Sequence, residues 1–159
     1  EYEKKMINVE EAIEVLRKFL NQIQTNSSKE RNKLVVILHS LDHITRLTKV
    51  LREQQKIEAI YIQERLLGEW YDLLSEIKET IHDDNNLEKI TLTLEQKSQK
   101  VAVERRVRRN HYFERTVAND AELELVVSKV EALLWIDRLI YHYWRATARM
   151  AELKELKGV

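Results

Sequence analysis

The stretch AELELVVSKVEALLWIDRLIYHYWRATARMAELKEL, residues 121–156, decides the class of this fold. Leu123, Val127, Val130, Leu134, Tyr141, Trp144, Ala148 and Ala151 recur in steps of three, four and seven. That spacing predicts one long amphipathic helix with a continuous apolar stripe, suited to antiparallel bundle packing. The stretch holds no glycine or proline, and the rest of the chain has almost none. Among 159 residues there is no proline, and the only glycines are Gly68 and Gly158. Hairpins, bulges and tight turns need these residues, so sandwiches, barrels and Rossmann sheets are disfavoured. Charged residues make up 34% and hydrophobic residues 43%, the mixture of helices with a charged outer face.

Four further helices are predicted. The first covers residues 3–24, with Val9, Ala12, Ile13, Leu16, Leu20 and Ile23 inward. Ser27 and Glu30 form a capping-box pattern that starts a second helix, carrying Leu34, Ile37, Leu38, Leu41, Ile44, Leu47 and Leu51. Unbroken to Ile81, that helix would be about 80 Å long, so a turn is placed near residues 53–57. A third helix is expected over 57–81, where Gly68 costs about 1 kcal/mol against alanine. The run HDDNN at 82–86 breaks the chain, and Asn85 with Glu88 can cap a fourth helix over 87–117. Asn119 with Glu122 makes the last capping pattern. The expected fold is an all-α antiparallel bundle of about five to six long helices. It forms a single domain over 1–159, with half-bundles at 1–82 and 86–157.

Lys+Arg equals Asp+Glu, 27 against 27, so no global charge argues for nucleic acid or a membrane surface. The lack of cysteine excludes disulfides and thiolate metal sites. No apolar run approaches the ~18–20 residues of a membrane span. The chain starts at Glu1 rather than Met, which suggests a piece of something longer.

Residues 35–44, VVILHSLDHI, match 130–139, VEALLWIDRL, at an offset of 95. Val35 pairs with Val130, Leu38 with Leu133, Leu41 with Ile136, Asp42 with Asp137 and Ile44 with Leu139. Apolar matches come cheaply between amphipathic helices, so the two aspartates are the informative part. Asp137 lies inside the stripe, where a carboxylate needs a cation, several donors or a metal. The ordinary reading of Asp137 is a structural ion pair. For Asp42 it is a surface pair with Arg46 at i,i+4.

These residues carry a resemblance. The segment LLWIDRLIYHYWRA, 133–146, resembles the last helix of PhoU-like domains, above all those at the cytoplasmic C-terminus of bacterial sodium/phosphate cotransporters. The segment LDHITRL, 41–47, is similar to the equivalent helix of the first half. The arginine-rich run 105–115, ending YFER, looks like the segment before the last helix. The resemblance implies two tandem three-helix bundles with a pseudo-twofold. It also implies a non-catalytic role in controlling phosphate uptake from the cytoplasmic face of the membrane, next to the transmembrane part of the same transporter, with a homodimer allowed. The specific motifs cover about 30 residues. Many relatives carry an acid, three residues, then a second acid in each half, and these hold iron or zinc. Here the second positions are Arg46 and Tyr141. A multinuclear metal cluster is therefore not expected, and no cofactor is.

Other candidates are weaker. His39, Asp42 and His43 form H-x-x-D-H, a spacing that can chelate zinc, but partly buried, hydrogen-bonded histidines are the ordinary reading. Arg105, Arg108, Arg109 and Arg115 make a basic patch whose guanidinium forks suit phosphate oxygens or an acidic partner. Its ordinary reading is a solvated face paired with Glu104, Glu114 and acids of a neighbouring helix. Trp144 is expected in the core, and Trp135 falls off the stripe. No nucleophile–base–orienter set and no glycine-rich phosphate loop is recognisable, so no enzyme is expected.

Overall fold

Ser27 opens the second helix as its spacing predicts. Its hydroxyl accepts from the Glu30 N–H at 3.2 Å, while the Glu30 carboxylate accepts from the Asn26 N–H at 2.7 Å. Such caps, rather than glycine or proline, divide the chain. The computed structural model describes residues 1–53, 75, 78–79, 86–119 and 122–157. The described residues form four long helices: α1 (Tyr2–Leu20), α2 (Ser28–Arg52), α3 (Leu87–Val117) and α4 (Leu123–Lys157).

The bundle is all-α, but the expected count of five to six helices is corrected to four among the described residues. α3 and α4 run 31 and 35 residues without a break, because nothing in either interrupts the backbone ladder. α2 ends at Arg52 with Glu53 as its C-cap, where the expected turn begins. The expected helix over 57–81, including Gly68, lies outside the described residues except for Ser75, Lys78 and Glu79, which are helical. The expected break at 82–86 likewise lies outside them, apart from Asn86.

Three boundaries differ from expectation. α1 stops at Leu20 rather than residue 24, and Gln22 and Ile23 close tighter turns onto the Phe19 and Leu20 carbonyls. The cap of α3 is Asn86, one residue after the expected Asn85, and its side chain accepts from the Lys89 N–H at 3.0 Å. Asn119 does not cap α4. It follows the Ala118 C-cap of α3 with φ at 60°, and its N–H donates to the Thr116 carbonyl. Asparagine tolerates this left-handed position better than most side chains.

The helices lie in the order α1, α2, α4, α3, each antiparallel to the next. α1 rests on α2 through Ile13, Leu20 and Leu41. Its buried residues Met6, Ile13 and Leu20 recur every seven, while the expected inward Val9, Leu16 and Ile23 are exposed. Arg52 ties the open end of this pair to Glu3 and Glu10, and the Tyr2 hydroxyl donates to the Leu51 carbonyl. The Arg52 guanidinium holds the Glu10 carboxyl below the usual carboxylate range.

The larger core joins α2, α3 and α4 through Val50, Ile90, Leu94, Val101, Leu133, Trp135, Ile136 and Ile140. Here the phase of the α4 stripe is corrected. Leu123, Val127, Leu134 and Tyr141 are exposed by 61, 43, 41 and 41%, whereas Ile136 and Ile140 are buried to 2 and 1%. α4 is gripped from two sides. Its Trp135 and His142 reach α2, while its Lys129 and Asp137 reach α3. Burial from two sides moves the buried arc onto Val126, Leu133, Ile136, Ile140 and Thr147, with Ala132, Trp135 and Ala146 beside it. Trp144 packs against this core while only partly buried.

Candidate anion site between two helices

Antiparallel packing brings residues about a hundred positions apart together on the α2–α4 seam. His43 on α2 and His142 on α4 face each other with Nδ1 atoms 3.2 Å apart. One ring must donate and the other accept, so at most one Nδ1 carries a proton in that bond. Both rings are partly buried. The Tyr141 ring stands edge-on to both, at 6.0 Å from His43 and 5.2 Å from His142.

The surroundings of this pair are cationic. Arg138, His142, Arg145 and Arg149 follow one another at steps of four, three and four, which places them on one face of α4. α2 adds Arg46. Three of these arginines have acids of their own. Arg46 Nε binds Asp42 Oδ2 at 2.8 Å, Arg138 meets Glu53, and Arg149 meets Glu152 at 2.7 Å. Arg145 instead lies over the Trp144 ring at 5.2 Å, and among the described residues no carboxylate meets it. Among the described residues, the buried Nε atoms of Arg138, Arg145 and Arg149 have no hydrogen-bond acceptor. Buried donors are normally satisfied, so three unmet ones along one helix face call for an explanation.

Burial lowers the proton affinity of both histidines, and the positive neighbours lower it further. For His43 the largest cause is desolvation and the next is Arg145; for His142, desolvation is followed by His43 and Arg46. Asp42 pulls the other way on both rings, and its own carboxyl is held low by the bond from Arg46.

The residues singled out in the sequence separate on this frame. Asp42 makes the exposed i,i+4 pair with Arg46. Asp137 is largely buried and lies 2.6 Å from Arg105 Nε, an ion pair across α3 and α4. Arg105, partly buried, is thus engaged across two helices rather than part of a free basic face. Arg109 lies over the Phe113 ring at 5.5 Å and is exposed, as is Arg115, while Arg108 is partly buried. His39 is exposed and His43 is turned into the seam. Among the described residues no three His, Asp or Glu side chains gather as a metal set would require, so His39, His43, Asp42 and Asp137 are not drawn together. Trp135, which falls off the sequence stripe, is buried and donates its indole N–H to the Val50 carbonyl at 2.7 Å.

Sequence reasoning missed His142, Arg145 and Arg149. Their 4-3-4 spacing with Arg138 was the available signal, overshadowed by an apolar stripe read in the wrong phase. In comparisons with family models, curated proteins and solved structures, nothing matches this chain.

Proposed function

We propose that this chain is a non-catalytic regulatory module of the PhoU-like kind. It acts on phosphate uptake from the cytoplasmic face, by packing against the membrane-embedded part of a sodium-dependent phosphate cotransporter. One observation carries the reading. The two segments with the resemblance, 41–47 and 133–146, lie side by side and antiparallel, bridged by His43 and His142. Antiparallel contact between equivalent helices is what a local two-fold between two half-bundles needs. The ion pairs of Asp42 and Asp137 with arginines favour a structural use of these acids over a metal cluster. None of the described helices is long and apolar enough to cross a membrane.

The complete reading frame is the first test. Several membrane-spanning helices encoded upstream of Glu1 are expected, and a complete frame beginning at this helix overturns the cotransporter reading. Uptake is the second. Removing residues 1–159 at matched transporter levels should change sodium-dependent phosphate uptake, and unchanged uptake sinks the regulatory role.

A further inference from the structure

We propose that the α2–α4 seam binds a tetrahedral oxyanion of the phosphate or sulfate type, held by Arg145 together with His43 and His142. The inference stands on the side chains alone and does not rest on the transporter reading. The cationic face of α4 is longer than its supply of acids. Arg138, Arg149 and Arg46 each have a carboxylate, and Arg145 has an aromatic ring. Among the described residues the buried Arg145 Nε has no acceptor. An oxyanion supplies several acceptors in a small volume and matches guanidinium geometry.

The histidine pair explains why the charge is tolerable without the anion. At neutral pH the two rings share one Nδ1 proton and add no charge beside Arg145. An anion reverses the balance, because it favours protonation of both rings and turns each Nδ1–H outward as a donor. A cation is disfavoured at the same place, since Arg46, Arg138, Arg145 and Arg149 surround the pair. The charged groups acting on the pair are Asp42 and Arg46 from α2 and Arg138, Arg145 and Arg149 from α4, with Arg138 itself paired to Glu53 and Arg149 to Glu152. From α1, Arg17 reaches Thr45, two positions beyond His43. On the far side of α4, Arg105 of α3 is engaged with Asp137.

Sulfate is the cleaner probe of pH, because its own charge stays constant where phosphate titrates. The test is calorimetric titration of the purified chain with sodium sulfate, and imidazole resonances read by NMR alongside. Saturable binding is expected, at least about threefold tighter near pH 6 than near pH 8, with both His43 and His142 resonances moving. Arg145→Met should weaken it by about tenfold or more, with helical circular dichroism retained. Arg109→Met, on the exposed α3 patch, should leave it unchanged. Inorganic phosphate and a nucleoside triphosphate form two further arms. Tighter binding of the triphosphate assigns the site to a phosphate ester, and equal or weaker binding assigns it to the free anion. Non-saturable shifts, equal response to sodium chloride, loss of binding in Arg109→Met, or pH-independent sulfate affinity each overturn the proposal.

Discussion

Trp135 ends its side chain on a backbone carbonyl in the last turn of a neighbouring helix. The Val50 carbonyl belongs to the final four of α2, which lack an intrahelical N–H partner; it accepts from the Glu53 N–H at 3.1 Å and from the Trp135 indole at 2.7 Å. One residue thus fills the core and closes a helix end. Trp135→Phe keeps most of the apolar surface and removes the donor. The expected cost is about 1–3 kcal/mol in urea unfolding, combining the lost bond with a small cavity. A change below about 0.5 kcal/mol would mean that the indole N–H is idle. This role was not legible from the sequence. Periodicity reports which arc of a helix is apolar, and Trp135 lies on an arc that becomes interior only because α2 packs there. Asp137 was more readable. A carboxylate among apolar neighbours demands a partner, and Arg105 supplies it at 2.6 Å.

Helix ends obey local chemistry. The Ser27 hydroxyl and Glu30 carboxylate satisfy N–H groups at the start of α2 within five residues of chain, so the start is visible in the sequence. Ser27→Ala should cost about 1 kcal/mol in thermal or denaturant unfolding. At the other break the same reasoning chose the wrong side. Asparagine is favoured both at a helix N-cap and in the left-handed position after a C-cap, and Asn119 takes the second, with φ at 60°. Asn119→Gly should therefore be neutral within a few tenths of a kcal/mol, while a β-branched Asn119→Val should destabilise by about 1 kcal/mol or more. Asn119→Ser separates this from an N-cap role, because serine caps a helix as well as asparagine but tolerates the left-handed backbone less well.

At the scale of the whole bundle, the α2–α4 seam makes stability depend on pH. His43 and His142 have folded proton affinities below the ordinary value of 6.5, so the unfolded chain binds more protons on acidification. Their contribution is complete above that value and is lost as pH falls from 6.5 through the depressed folded values. The melting temperature should fall across this window, and replacing both rings by glutamine should flatten the fall between about pH 6.5 and 5. An unchanged slope would show that other groups control it. The helical class, the cap at Ser27, the span 87–117 and the need of Asp137 for a partner followed from the sequence alone, because each depends on neighbours within a few positions or on a burial cost paid wherever the partner lies. The meeting of His43 with His142, the burial of Trp135 and the phase of the α4 stripe were decided by tertiary packing. These depend on which helices flank α4 and from how many sides, and a one-dimensional spacing carries no record of that.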